Sequence, residues 1–74
     1  MTRYQNLGGN GGVTAYEAGA DYIALQFHDG RVYVYDHHRP GRKHVEQMKQ
    51  LAQSGRGLTT YLNKYVRDNY AHMR

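Results

Sequence analysis

The stretch "YIALQFHDGRVYVYD", residues 22–36, decides what this chain can fold into. Ile23, Leu25 and Phe27 alternate with Ala24, Gln26 and His28, and a period of two marks a strand with one face on a core. Asp29-Gly30 is a strong hairpin signal, so residues 31–36 return antiparallel. The register depends on the turn. A two-residue type I′ loop sets Phe27 opposite Val32 and Leu25 opposite Val34, which puts the valines in the core and Tyr33 and Tyr35 on the other face. A three-residue loop, with Gly30 left-handed and a bulge, sets Leu25 opposite Tyr33 and Ile23 opposite Tyr35, which turns the tyrosines inward. One residue of slip exchanges the faces, and the local pattern leaves both registers open.

Working outward, residues 13–17 form a short strand candidate joined by the turn "EAGAD". Residues 1–12 hold four glycines and two asparagines with little that is apolar. Such a segment does not recover its ordering entropy by burial, so it reads as a mobile arm. Its glycines lack the strand before and helix after that a phosphate-cradling loop needs. Beyond Asp36, "HHRPG" is a connection in which Pro40 stops a strand and precedes a helix. Residues 42–54 show a helical stripe of Val45, Met48, Leu51 and Ala52, and Gly55 suits the left-handed C-cap. A second helix over residues 58–70 carries Leu58, Tyr61, Leu62, Tyr65, Val66 and Tyr70 at helical spacing. Strands followed by helices predict an α+β domain over residues 13–74: a three-stranded antiparallel meander with two α-helices packed on one face.

Seventy-four residues make one thin-cored domain. The absence of cysteine excludes a disulfide framework and a thiolate metal site. No apolar run approaches the ~18 residues of a membrane span, and the first residues lack a signal peptide's apolar stretch. A cytoplasmic protein without membrane contact is the expectation. Ten Lys and Arg against six Asp and Glu give a net charge of +4, which favours polyanionic partners.

Catalysis finds no foothold. Ser54 has no neighbouring base, and the six acids are scattered over turns and helix faces. Nothing pairs two carboxylates in a dry cleft, and so thin a domain leaves little room for a small-molecule pocket. No enzyme activity, cofactor or small-molecule substrate is expected. His28, His37, His38 and His44 do not make a zinc site, because adjacent histidines on a strand point to opposite faces. What remains is charge. Arg39, Arg42, Lys43 and Lys49 cluster around the start of the first helix, Arg56 sits in the link, and Lys64 and Arg67 belong to the second helix. The set reads as a surface for RNA or another polyanion; each cation taken singly reads as part of a solvated face. The eight tyrosines divide the same way. Tyr33 and Tyr35 are stacking platforms if exposed and core if buried, and Tyr61, Tyr65 and Tyr70 fall on the apolar helix face.

Tyr16 eleven residues before Phe27, the alternating Ile23, Leu25 and Phe27, the turn residue Gly30, "VYVY" with Tyr33 and Tyr35, "LAQSGRG" with Gly55 and the final "VRDNY" with Arg67 and Tyr70 share an order and spacing. Together they resemble the KTSC domain, named for the C-terminus of some lysyl-tRNA synthetases and found also as small free-standing bacterial proteins. The resemblance covers roughly residues 13–70. It implies a structural role for these residues, no established activity, RNA binding by way of the synthetase context, and the bulged hairpin register. Val34, the longer "DHHRPG" and the glycine and threonine before the first strand depart from the family habit. The chain is therefore read as a small non-catalytic binding module for a tRNA-like RNA. The alternative is a protein-interaction module or homodimer that uses the sheet edge or a helix face.

Overall fold

The hairpin after Phe27 takes the three-residue form. The structure, a computed structural model, describes residues 1–9, 12–66 and 68–74. The Gly30 amide donates to the Phe27 carbonyl and the Phe27 amide to the Arg31 carbonyl, each at 2.8 Å. Gly30 sits at φ 89°, the left-handed conformation that this bulged turn requires of its third loop residue. Strand β3 (Tyr22–Phe27) therefore pairs with strand β4 (Val32–Asp36) so that Ile23 faces Tyr35 and Leu25 faces Tyr33. The tyrosines point inward with the aliphatics.

Strand β2 (Val13–Ala18) completes the predicted meander, and its register slips between Val13 and Ala15. The bulge has a purpose. Val13 and Tyr16 are three residues apart and would face opposite sides of a regular strand, whereas the extra residue lets both join the core side. The sheet is wider than the sequence reading of three strands. Short strands β1 (Thr2–Arg3) and β5 (His72–Met73) are added at its edges, giving the antiparallel order β1-β2-β3-β4-β5 among the described residues. Two-residue strands carry too little alternation to be legible in a sequence.

Helix α1 spans Arg42–Ser54, as its periodicity predicts, and ends at Gly55 with φ 81°. Helix α2 departs from prediction. It runs as an α-turn over Leu58–Tyr61 and continues as a π-helical turn over Leu62–Val66 instead of reaching residue 70. The wider turn brings Leu62 and Val66 onto one line with Leu58, and all three are buried. Tyr65, placed on the apolar face by regular helical spacing, is instead rotated out and 56% exposed.

Helices and sheet share one core: Val13, Ile23, Leu25 and Tyr35 from the sheet meet Val45, Met48, Ala52, Leu58, Leu62 and Val66 from the helices. Tyr16, Phe27, Tyr33 and Tyr70 pack around it, partly buried. The opposite face of the sheet is also covered at its centre, where Ala24 and Val34 are buried outside that cluster. There the Tyr22 hydroxyl donates to Glu17 at 2.5 Å, and Arg74 reaches the same carboxylate at 3.1 Å.

The N-terminal segment corrects the reading of residues 1–12 as an arm outside the fold. Tyr4 is only 3% exposed and belongs to the core. Its hydroxyl accepts a hydrogen bond from the Leu58 amide at 3.1 Å, capping one of the donors that a helix start leaves unpaired. Gln5 packs against Gly55, so that a β-carbon there would approach its Oε1 to 2.6 Å, and the Leu7 amide donates to the Gly55 carbonyl at 2.6 Å. Asn10 and Gly11 of that reading lie outside the described residues. An isolated tyrosine among glycines and polar groups has no periodicity to betray it.

Candidate nucleic-acid interface

The cations singled out in the sequence do not form one patch; helix geometry divides them. On α1, Arg42 and Lys49 are seven apart with Glu46 between, which places them along one flank. That flank is already engaged. The Lys49 ammonium donates to the Glu46 carboxylate at 3.0 Å and to the Ala20 carbonyl at 3.2 Å, leaving its side chain 13% exposed. His37 takes the same Glu46 oxygen at 3.0 Å. His37 first and Lys49 second hold the Glu46 carboxyl below its ordinary value. Arg39 is likewise tied, its Nε–H donating to the Asn69 Oδ1 at 2.8 Å. Arg42, Lys43 and Arg56 are exposed, at the start of α1 and in the link between helices. Arg67 lies outside the described residues.

Lys64 belongs to a different neighbourhood. Its ammonium stands 5.3 Å from the centre of the Tyr65 ring, within cation–π range. Tyr65 in turn packs on Tyr61 with ring centres 4.8 Å apart at 44°. The Tyr61 hydroxyl shares a 2.7 Å hydrogen bond with Nδ1 of His44, whose ring meets the tyrosine edge-on at 5.9 Å. Burial, and then the neighbouring Tyr65, raise the Tyr61 hydroxyl's pKa. On α1, His44 faces α2, opposite the Arg42 flank, and so completes a line of His44, Tyr61, Tyr65 and Lys64. The anchored histidine and half-buried Tyr61 hold the ring of Tyr65 toward solvent. Of the predicted nucleic-acid residues that the structure describes, only Lys64 joins this line. His44, Tyr61 and Tyr65 were legible as residues; their grouping was not, because it depends on the π-helical turn.

The residues of the family-like motif gather elsewhere, under the sheet. Tyr35 is 2% exposed, and burial pushes its hydroxyl pKa far up, with smaller contributions from Tyr33, Asp68 and Tyr70. Phe27 meets Tyr33 edge-on at 5.3 Å, Tyr33 tilts against Tyr70 at 4.7 Å, and Tyr35 stands at 85° to Tyr70 at 6.4 Å. Tyr16 borders the same core, Gly30 shapes the hairpin turn, and Gly55 closes α1. Beside these rings opens a cleft of about 410 Å³ lined by Phe27, Tyr33, Tyr35, Leu62, Asn63, Asp68 and Tyr70. The expectation that so small a domain leaves little room for a pocket is corrected here: the π-helical turn ends at Val66, and Asp68 and Tyr70 line the cleft instead of continuing a helix.

Among the described residues, no three His, Asp or Glu side chains converge to hold a metal ion. No helix among them is long and apolar enough to cross a membrane. Both sheet edges are short: β1 and β5 occupy the flanks of the meander with two residues each, and such edges offer little to a pairing strand. No protein-family model matches the chain, and no curated protein or solved structure is significantly similar to it.

Proposed function

We propose that the protein is a small non-catalytic module that binds single-stranded segments of RNA. Tyr65 offers a stacking face for an unpaired base, and Lys64 a contact for the adjacent phosphate. The observation that carries this reading is an exposed ring, propped on Tyr61 and His44, with an ammonium 5.3 Å from its centre. Aromatic faces joined to cations are the usual means of holding single strands without reading their sequence. The exposed Arg42, Lys43 and Arg56 and the net charge of +4 supply long-range attraction to the backbone. The motif order resembling a KTSC domain, with its synthetase context, points the same way. Pairing with a protein through the sheet edge is the weaker alternative, because two-residue edge strands blunt that route.

Titration of unfractionated tRNA and of a short unstructured oligoribonucleotide at two salt concentrations tests the reading. Affinity that falls with added salt, by a log–log slope of about 0.7 per phosphate on a single strand, is the expected result. Tyr65→Ala weakens it about 5- to 100-fold, the loss of one stacked base. No binding at low salt, or binding indifferent to Tyr65→Ala, overturns the proposal.

A further inference from the structure

The cleft beside the sheet opens over the core residues Tyr35 and Leu62, apart from the Tyr65 face, and its chemistry differs from the rest of the molecule. Its walls are aromatic. Tyr35 and Tyr70 stand nearly perpendicular, Tyr33 tilts against Tyr70, and Phe27 closes the corner against Tyr33. The faces of such rings carry the negative side of a quadrupole. One carboxylate, Asp68, stands among them, close enough for its charge to be felt at the Tyr35 hydroxyl. The described lining holds no lysine or arginine. Arg31, which interacts with Tyr33 and is not part of the lining, is paired with Asp29 at 3.5 Å. In a chain of net charge +4, the described lining of this corner carries the opposite sign.

We propose that the cleft binds the alkylated ammonium head of a small organic cation against the partly buried rings of Tyr33 and Tyr70, above the buried Tyr35, with Asp68 as its counter-charge. An anion would meet the Asp68 carboxylate and no described cation in the lining. Small inorganic cations hold their water too firmly to exchange it for ring faces, whereas a methylated ammonium is weakly hydrated and suits an aromatic corner. The volume of about 410 Å³ falls in the range of small-molecule sites, enough for such a head and a short polar tail.

The test sets choline against its uncharged carbon isostere, 3,3-dimethylbutan-1-ol, with binding read from the NMR signals of the tyrosine rings and from tyrosine fluorescence. Choline binds about tenfold tighter than the alcohol, the factor that about 1.4 kcal/mol of cation–π attraction corresponds to. Asp68→Asn, at an exposed site that leaves the fold intact, weakens choline several-fold and leaves the alcohol unchanged. Tyr70→Leu removes the choline preference, and Tyr65→Ala leaves it untouched, which separates this site from the RNA-binding face. Equal affinity for the two probes, no choline binding at tens of millimolar, or choline affinity unmoved by both Asp68→Asn and Tyr70→Leu overturns the proposal.

Discussion

Tyr35 and Tyr65 are the same side chain, one on a strand whose register the local pattern leaves open and one at regular helical spacing on an apolar face, yet the first is 2% and the second 56% exposed. Tyr35 turns inward because the bulged hairpin keeps the strand in register with Ile23. Tyr65 escapes its pattern because the second helix widens into a π-helical turn that aligns Leu62 and Val66 and turns the ring between them outward. A helical stripe of five apolar positions in nine residues is broader than the core beneath it can accept. Something must rotate out, and the side chain with a polar tip costs least to expose. The contrast separates tyrosines that hold the fold from tyrosines that are available to a ligand.

Truncation at the buried member is the severest test of that contrast. Tyr35→Ala is expected to destabilise the domain by about 3–5 kcal/mol, as removal of a core aromatic does. Urea unfolding measures it, and a loss under 1 kcal/mol would place Tyr35 on the ligand side of the comparison. Tyr4→Phe keeps the buried ring but strands the Leu58 amide that the hydroxyl accepts from. A cost of about 1–3 kcal/mol is expected for a buried donor left unpaired, with faster hydrogen exchange at Leu58. An unchanged unfolding curve would return the N-terminal segment to the status of an arm.

Tyr65→Ala stands at the other end of the contrast. Its stability should change by no more than about 0.5 kcal/mol, the ordinary surface range, while RNA affinity falls; a large loss of stability would make the ring structural after all. The smallest effect belongs to Glu17 on the outer face of the sheet. The Tyr22 hydroxyl, then Arg74, hold its pKa below the ordinary value of 4.5. Its folded carboxyl thus binds protons less readily than the unfolded one. This part of the stability is present above the unfolded pKa and is lost as pH falls through the folded one. Glu17→Gln should flatten the acid side of the stability profile from pH about 5 downward and leave stability elsewhere little changed. An identical acid slope in both proteins would remove Glu17 from the account.

The α+β class, the span of α1, its Gly55 cap and the Asp29-Gly30 turn were all legible in the chain, because each rests on interactions among residues a few positions apart. The early end of the second helix was less so. The apolar spacing runs on to Tyr70, but Asn69 hydrogen-bonds back to Val66, and Ala71 has already joined Val34 of β4. Competition from the sheet edge, invisible to local periodicity, ends the helix. The candidate site was legible in its parts, as cations and tyrosines, and illegible as a group: Lys49 and Arg39 are taken up by partners 29 and 30 residues away.

By itself the sequence determined the period of the central strands and of α1 and the sign of the charge, since alternation, helical spacing and turn chemistry act over a few bonds. Tertiary structure alone decided which tyrosines are buried, that Tyr4 and Gln5 cross the end of α1, and that an acidic aromatic cleft opens in a basic chain. Those outcomes depend on which distant surfaces compete for the same small core, and with so little core to share, the contest is settled only when all the elements meet.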